Sequence, residues 1–177
     1  MQALAYWKAV TTDRTGFLDE IVALLGSSGV RYCVVGGQAV NAYVEPVVSL
    51  DLDIAVVTED LARVQTLLEG SFKVVRFPHS MNVSKVGSEL RLQVQTDPRY
   101  GDFVDRAAPR EILGLVLPVA AVEDVLQGKV WAALDPERRP SKRQKDLADI
   151  ARLLEGHPEL RELVPESIRR RLIADGD

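Results

Sequence analysis

The residues best suited to chemistry lie in two short runs, Val34-Val35-Gly36-Gly37-Gln38-Ala39-Val40-Asn41-Ala42-Tyr43 and Ser49-Leu50-Asp51-Leu52-Asp53-Ile54-Ala55-Val56-Val57. In the first, an apolar strand enters two glycines and a helix leaves them. Glycine at such a turn lets the backbone approach a phosphate closely, and the oriented N–H groups of a helix start favour the negative charge. In the second, Asp51 and Asp53 are two apart on a strand, so both carboxylates face one side while Leu52 faces the core. Carboxylates held side by side repel one another unless a hard divalent cation sits between them. The economical reading is magnesium carried on a triphosphate, with Gly36 and Gly37 against the phosphates and Asp51 and Asp53 on the metal. A dinucleotide-binding fingerprint is not supported, because no third glycine follows at the required place.

The elements that must position these groups follow from periodicity. Phe17, Leu18, Ile21, Val22, Leu24 and Leu25 predict a helix over Phe17–Leu25 that Gly26 to Gly29 stops. Tyr32–Val35 reads as a strand, Gln38–Tyr43 as a helix closed by Pro46, and Leu50–Val57 as a second strand. An amphipathic helix over Leu61–Leu68 has Gly70 as its C-cap. Phe72–Phe77, Asn82–Val86 and Leu90–Thr96 read as three further strands, Asp102–Ala107 as a short helix and Ile112–Val119 as one extended segment. Beyond that the pattern is helical, over Glu123–Leu134, Ser141–Leu154 and Pro165–Ile173, with Ser141 and Gln144 as a capping box. The expected architecture is α/β of the α+β kind: one unit over 1–177, with a mixed-sheet core over about 13–119 and a helical subdomain over about 120–177.

Composition bounds the possibilities. The 177 residues suffice for one domain with its own core. At 46% hydrophobic and 27% charged residues, the chain is neither a disordered segment nor a coiled coil. A net charge of −4 argues against a surface coated for duplex nucleic acid, though not against a local basic groove. The single cysteine, Cys33, sits in an apolar run and reads as a small buried hydrophobe. Met1–Val10 lacks a basic stretch followed by a long apolar core, and the run Leu115–Val122 is too short for a bilayer and holds Pro118. The expectation is a cytoplasmic protein without a membrane segment.

Gly36-Gly37 followed by Asp51-x-Asp53 resembles the signature of the DNA-polymerase-β-like nucleotidyltransferase superfamily, a glycine pair and helix leading to an acidic pair on a strand. Val122-Glu123-Asp124-Val125-Leu126 with Lys129 and Ala132, then Arg143-x-Lys145-Asp146-x-x-Asp149, is similar to the AbiEii-type branch, which includes toxins of type IV toxin–antitoxin systems. The resemblance covers roughly Val30–Leu154. It implies a small mixed-sheet nucleotidyltransferase core flanked by helices, Gly36 and Gly37 on the triphosphate, Mg2+ on Asp51 and Asp53, and Lys129, Lys145 and Asp149 on the nucleotide side. It further implies an NTP co-substrate, tRNA or another RNA as acceptor, and a cognate antitoxin. Read from helical pattern alone, Lys129 and Lys145 are solvated lysines more often than phosphate ligands, and Lys145 with Asp149, four apart, also reads as a local ion pair.

The sequence departs from the family pattern at the third carboxylate that active members carry on a later strand. Leu90-Arg91-Leu92-Gln93-Val94-Gln95-Thr96 offers Gln93 and Gln95 on that face, with Gln95 expected as the group nearest the vacant position. Asp97 is the substitute if the strand continues, which makes it the third catalytic candidate beside Asp51 and Asp53. A glutamine cannot act as general base, and losing one lowers rates by about 10²–10⁴-fold. Three functions compete: nucleotidyl transfer in a two-metal site with the ions about 3.5–4 Å apart, a weakened module that binds nucleotide, RNA or protein, and modification of a small molecule such as an antibiotic. His79 in its loop, and the cluster Arg169-Arg170-Arg171 as an RNA contact, are subsidiary candidates.

Overall fold

The protein is described here by a computed structural model covering residues 15–112 and 114–172. Met1–Val10, the start of the expected core and the end of the expected Pro165–Ile173 helix lie outside the described residues. The first helix, α1 (Phe17–Ser28), buries Phe17, Leu18, Ile21 and Leu25 and ends where Gly29 takes a left-handed φ of 68°. Gly26 does not stop it. A helical glycine costs about 1 kcal/mol, less than burying even one leucine contributes.

The order continues β1 (Tyr32–Val35), α2 (Gly36–Asn41), β2 (Asp51–Val56), α3 (Leu61–Glu69), β3 (Lys73–Phe77), β4 (Ser80–Ser84), β5 (Arg91–Gln95), β6 (Ala108–Ile112), β7 (Leu115–Val119), α4 (Val122–Leu134), α5 (Pro140–Gly156) and α6 (Glu166–Arg169). The strands form one mixed sheet of seven in the order β3-β4-β5-β2-β1-β7-β6. β2 runs antiparallel to β1 and parallel to β5. Because side chains alternate, Leu52, Ile54 and Val56 turn to one face and are buried, leaving Asp51 and Asp53 on the other.

Leu126, Ile150, Leu153, Leu160 and Ile168 of the C-terminal helices belong to the same apolar cluster as Val34, Ile54 and Leu92 of the sheet. The helical half is thereby anchored on the sheet and brings α4 and the start of α5 to the site. No described helix is long and apolar enough to cross a membrane.

Several local expectations are corrected. Ile112–Val119 is not one extended segment but the end of β6 and all of β7, joined at Gly114 with a φ of 78°. The strand β6 is almost wholly exposed and contains Pro109, so it has no apolar alternation to reveal it. The short helix expected over Asp102–Ala107 is a 3₁₀ segment over Pro98–Arg106, capped by Asp97, whose side chain accepts from the Arg99 N–H. The Ser141–Gln144 capping box does not form. The helix starts one residue earlier at Pro140, whose fixed φ suits a first helical position, and Arg139 is the N-cap without a side-chain bond.

Candidate active site

Val35 pairs with Asp53 in the antiparallel β1–β2 ladder, which brings the glycine turn directly over the acidic strand. Gly36 has a φ of 67°, and a Cβ built there would lie 2.9 Å from both Cβ and Cγ of Asp53. Conformation and space therefore both demand glycine. Gly37 is less constrained: its φ is ordinary, and an added Cβ would meet Ser49 Oγ at 3.6 Å. α2 has only six residues, so the turn contributes local N–H groups more than a long helix dipole.

These groups open on a cavity of about 340 Å³ between the sheet and α4 with the start of α5. Gly36, Gly37, Asp51, Asp53, Asp97, Lys129 and Lys145 all line it, so the structure gathers most of the residues expected from sequence. Asp149 does not line it. Asp149 stands behind Lys129, with its carboxylate 2.7 Å from the ammonium. The expected local pair of Lys145 with Asp149 does not form among the described residues, which leaves Lys145 exposed on the cavity wall.

Asp51 accepts from Arg91 Nε at 2.9 Å, and Lys142 Nζ lies 3.7 Å from its other oxygen. Asp53 lies deeper, and burial pushes its carboxyl up to about 6. Asp51 adds to the rise, while Lys129, Lys145 and Lys142 oppose it. A carboxylate pair on one strand face, one member raised by burial and by its neighbour, is a donor set suited to a hard divalent cation. Asp51 and Asp53 would hold such an ion.

The neighbouring strand β5 sets Arg91 beside Asp51, Gln93 beside Asp53 and Gln95 beside Ala55. Gln93, not Gln95, thus adjoins the pair. β5 stops at Gln95, and Asp97 lies beyond it, held by Arg99 through Nε at 2.9 Å and Nη2 at 2.7 Å. The Arg99 guanidinium keeps the Asp97 carboxyl below the usual carboxylate range. Asp97 reaches the cavity but does not continue the strand that carries Gln93 and Gln95, because Pro98 begins the 3₁₀ turn there.

Lys129 is 7% exposed. Burial disfavours its charge, yet Asp149 and Asp146 outweigh that and hold its pKa above the usual lysine value. Arg138 binds Asp146 at 2.8 Å and Arg152 binds Asp149 at 2.9 Å, so each buried carboxylate has a second cation. This network holds the Lys129 ammonium at the cavity edge.

The sequence reading missed Arg91, Lys142, Arg138 and an aromatic wall. Arg91 was detectable, since it alternates with Gln93 and Gln95 on one strand face; Arg138 sits in a loop without pattern. In the wall, Trp131 stacks on Phe103 at 5.6 Å, Tyr100 meets Trp131 edge-on at 5.4 Å, and the Arg99 guanidinium lies 4.6 Å over Trp131. His79 is exposed at the cavity rim. Of the C-terminal arginines, Arg169 and Arg170 pair with Glu162 and Glu166, so much of that basic cluster is neutralised locally. Cys33 is buried, and burial pushes its thiol up to about 12, as an inert core position requires.

Comparison with known proteins bears on the same region. The family described as nucleotidyl transferase AbiEii toxin, type IV TA system, matches residues 34–177. No curated protein matches the chain. Among solved structures, the antibiotic-resistance factor ANT(2'')-Ia superposes with a TM-score of 0.63 at 14% identity, covering 91% of this chain and 94% of that one. The lincosamide antibiotic adenylyltransferase LnuA, bound to lincomycin, gives 0.52 at 15% identity over 81% of this chain and 99% of its own. An antigenic nucleotidyltransferase-like protein from Paracoccidioides brasiliensis gives 0.53 at 16% identity over 92% of this chain and 88% of its own. These likenesses establish the nucleotidyltransferase fold. The family match is more specific, because it runs through the glycine turn, the acidic strand and the lysine-bearing helices, and by it the chain belongs to the AbiEii nucleotidyl transferase family.

Proposed function

We propose that this protein transfers a nucleoside monophosphate from a magnesium-bound nucleoside triphosphate to an acceptor oxygen. The observation that carries the reading is the packing of Gly36 against Asp53, which puts a phosphate-accommodating turn and a metal-binding pair in one cavity. In the step, the acceptor hydroxyl oxygen bonds to the α-phosphorus as its proton passes to solvent water, the bond to the bridging oxygen breaks, and pyrophosphate leaves with that electron pair. Magnesium, when bound, supplies neutralisation of the triphosphate charge. Asp51 and Asp53 hold it, and Lys129, Lys142 and Lys145 face the phosphates from the helical side. Catalysis rests on positioning and charge complementarity.

RNA suits the acceptor side. Tyr100 offers aromatic surface at the cavity, backed by Trp131, whose own ring already carries Phe103 and Arg99, and stacking one base on such a surface contributes about 1–3 kcal/mol. Arg99 and Arg138 stand beside them for backbone phosphates. The family's type IV toxin description adds a cognate antitoxin as the protein partner.

One observation favours a second reading, a nucleotide-binding module with slow transfer. Gln93 occupies the position beside Asp53 and cannot take a proton from an acceptor hydroxyl. Incubation with each α-labelled NTP, magnesium and total tRNA separates the two. Label on RNA above an Asp51→Asn control supports transfer. Saturable NTP binding with no label in any product supports the module, and absence of both overturns the nucleotide reading.

A further inference from the structure

We propose that the cavity is built for a single divalent cation, the one carried on the triphosphate, and that Arg91 supplies the charge where a second cation would otherwise be needed. The inference rests on the nucleotidyl-transfer reading and refines its metal requirement. A two-metal site holds its ions about 3.5–4 Å apart and needs carboxylates enough to offset both. Here the strand next to the acidic pair contributes none: in register, Arg91 lies beside Asp51 and Gln93 beside Asp53. Where a third acid would add a negative charge, this strand adds a positive one.

The cations around Asp51 show the consequence. One oxygen accepts from Arg91 Nε at 2.9 Å and the other faces Lys142 Nζ at 3.7 Å, so protein groups already offset part of its charge. The remaining acids of the cavity are committed elsewhere. Asp97 is bound by Arg99, Asp124 by Arg106 through two bonds of 2.8 Å, and Asp146 by Lys129 and Arg138, while Asp135, at the end of α4, accepts from the Glu137 N–H at 2.9 Å. Among the described residues, no group of three His, Cys, Asp or Glu side chains is disposed to hold a metal ion. Asp53, without an arginine partner among the described residues, and the remaining lone pairs of Asp51 suffice for one ion whose other ligands are phosphate oxygens and water.

The test counts Mn2+ by the loss of its free electron-paramagnetic-resonance signal, with protein saturated by α,β-methylene-ATP or α,β-methylene-CTP, which cannot be cleaved at the α-phosphate. The wild type is expected to hold one Mn2+ per chain. The double variant Arg91→Gln/Gln93→Asp, once its native circular dichroism is verified, is expected to hold two. Arg91→Gln alone is expected to bind Mn2+ several-fold more tightly without nucleotide, because a competing cation is gone. Two ions in the wild type, or one in the double variant, would overturn the proposal and leave nucleotidyl transfer standing. Neither Mn2+ nor either analogue retained by the wild type would instead overturn the nucleotidyl-transfer reading beneath it.

Discussion

Lys129 on α4 places its ammonium 2.7 Å from the Asp149 carboxylate on α5, and both side chains are withdrawn from solvent, at 9% and 4% exposure. The pair joins two helices and aims the lysine at the cavity. Removing one partner of a buried ion pair costs about 3–5 kcal/mol. Because Asp146 still faces Lys129 at 3.1 Å, Asp149→Asn is expected at the low end, near 3 kcal/mol by denaturant unfolding. Lys129 is held above its unfolded pKa, so its contribution is present at neutral pH and fades as pH rises through the folded value. The difference between wild type and Asp149→Asn should therefore shrink above roughly pH 10. A variant as stable as wild type at pH 7 would show that the pair carries no load in the fold.

Asp53 has the opposite consequence for stability. Its carboxyl is raised from 3.8 to about 6 by burial, so the folded state is favoured when the group is protonated. That advantage is complete below the unfolded value and lost as pH rises through 6. Asp53→Asn should accordingly be more stable than the metal-free wild type at pH 7–8, by up to about 3 kcal/mol, with the gain vanishing near pH 4. Melts across that range check it, with calorimetry against Mg-ATP and Mg-CTP. The same variant should lose at least tenfold in nucleotide affinity, and equal affinity would remove Asp53 from the metal site.

The two glycines should not behave alike. Gly36→Ala puts a side chain at a left-handed φ, which costs about 1–2 kcal/mol, and drives its Cβ against Asp53. A combined loss of about 2–4 kcal/mol is expected, with nucleotide binding abolished. Gly37→Ala meets only ordinary contact and should change stability by about 0.5 kcal/mol or less. Its effect should fall on nucleotide affinity alone. Matching melts for the two variants would contradict this division.

Much of this arrangement was legible in the residues. The turn, the acidic strand and the alternation that sends Leu52 inward and Asp53 outward follow from spacing, because two-residue and helical periods are local. What was not legible depends on register and on long side chains. Whether Gln93 or Gln95 adjoins Asp53 is fixed by the pairing of β2 with β5, which spacing within either strand does not specify. Asp149 suggested a partner four residues back on its own helix, but it turns instead to Lys129 across the interface, because burial there rewards a fully desolvated pair with added hydrogen bonds. The edge strand β6 gave no signal, since exposure removes the apolar alternation that marks a strand.

Arg152 extends the same network to the segment that delivers the acidic strand. Its guanidinium binds Asp149 at 2.9 Å and Asn41 Oδ1 at 3.1 Å. Asn41 in turn donates to the Val47 carbonyl at 2.7 Å, and Gln38 donates to the Ser49 carbonyl at 3.0 Å. The segment between α2 and β2 has no regular structure, so these bonds fix its path. Arg152→Ala should cost about 1–3 kcal/mol, by leaving Asp149 short of a partner, and should open residues 42–50 to limited proteolysis. Arg152→Lys should restore part of the stability but not the protease resistance, because a single ammonium cannot span both partners. Unchanged cleavage in Arg152→Ala would show that the loop holds itself.

Whether transfer is fast or slow turns on which residue of β5 or its continuation takes the acceptor's proton. If Asp97 were the missing base, Asp97→Asn would abolish transfer. Its carboxylate, however, is spent on Arg99 and on capping the 3₁₀ turn, so the expected losses are about 1 kcal/mol of stability and less than tenfold in rate. Arg99 also holds the Asp97 pKa down, so this contribution is present above the unfolded carboxylate pKa and lost as pH falls through the lower folded value. Gln93 is the position that matters, because it lies beside Asp53 in the β2–β5 register. Gln93→Asp adds a carboxylate there and should raise the transfer rate by about 10²-fold or more, as a restored general base does. Gln95→Asp, placed beside Ala55, should do much less. Rates for the three variants with one α-labelled NTP and tRNA decide the matter. Transfer lost in Asp97→Asn, or restored by Gln95→Asp rather than Gln93→Asp, would place the proton acceptor at the far end of β5 and overturn this assignment.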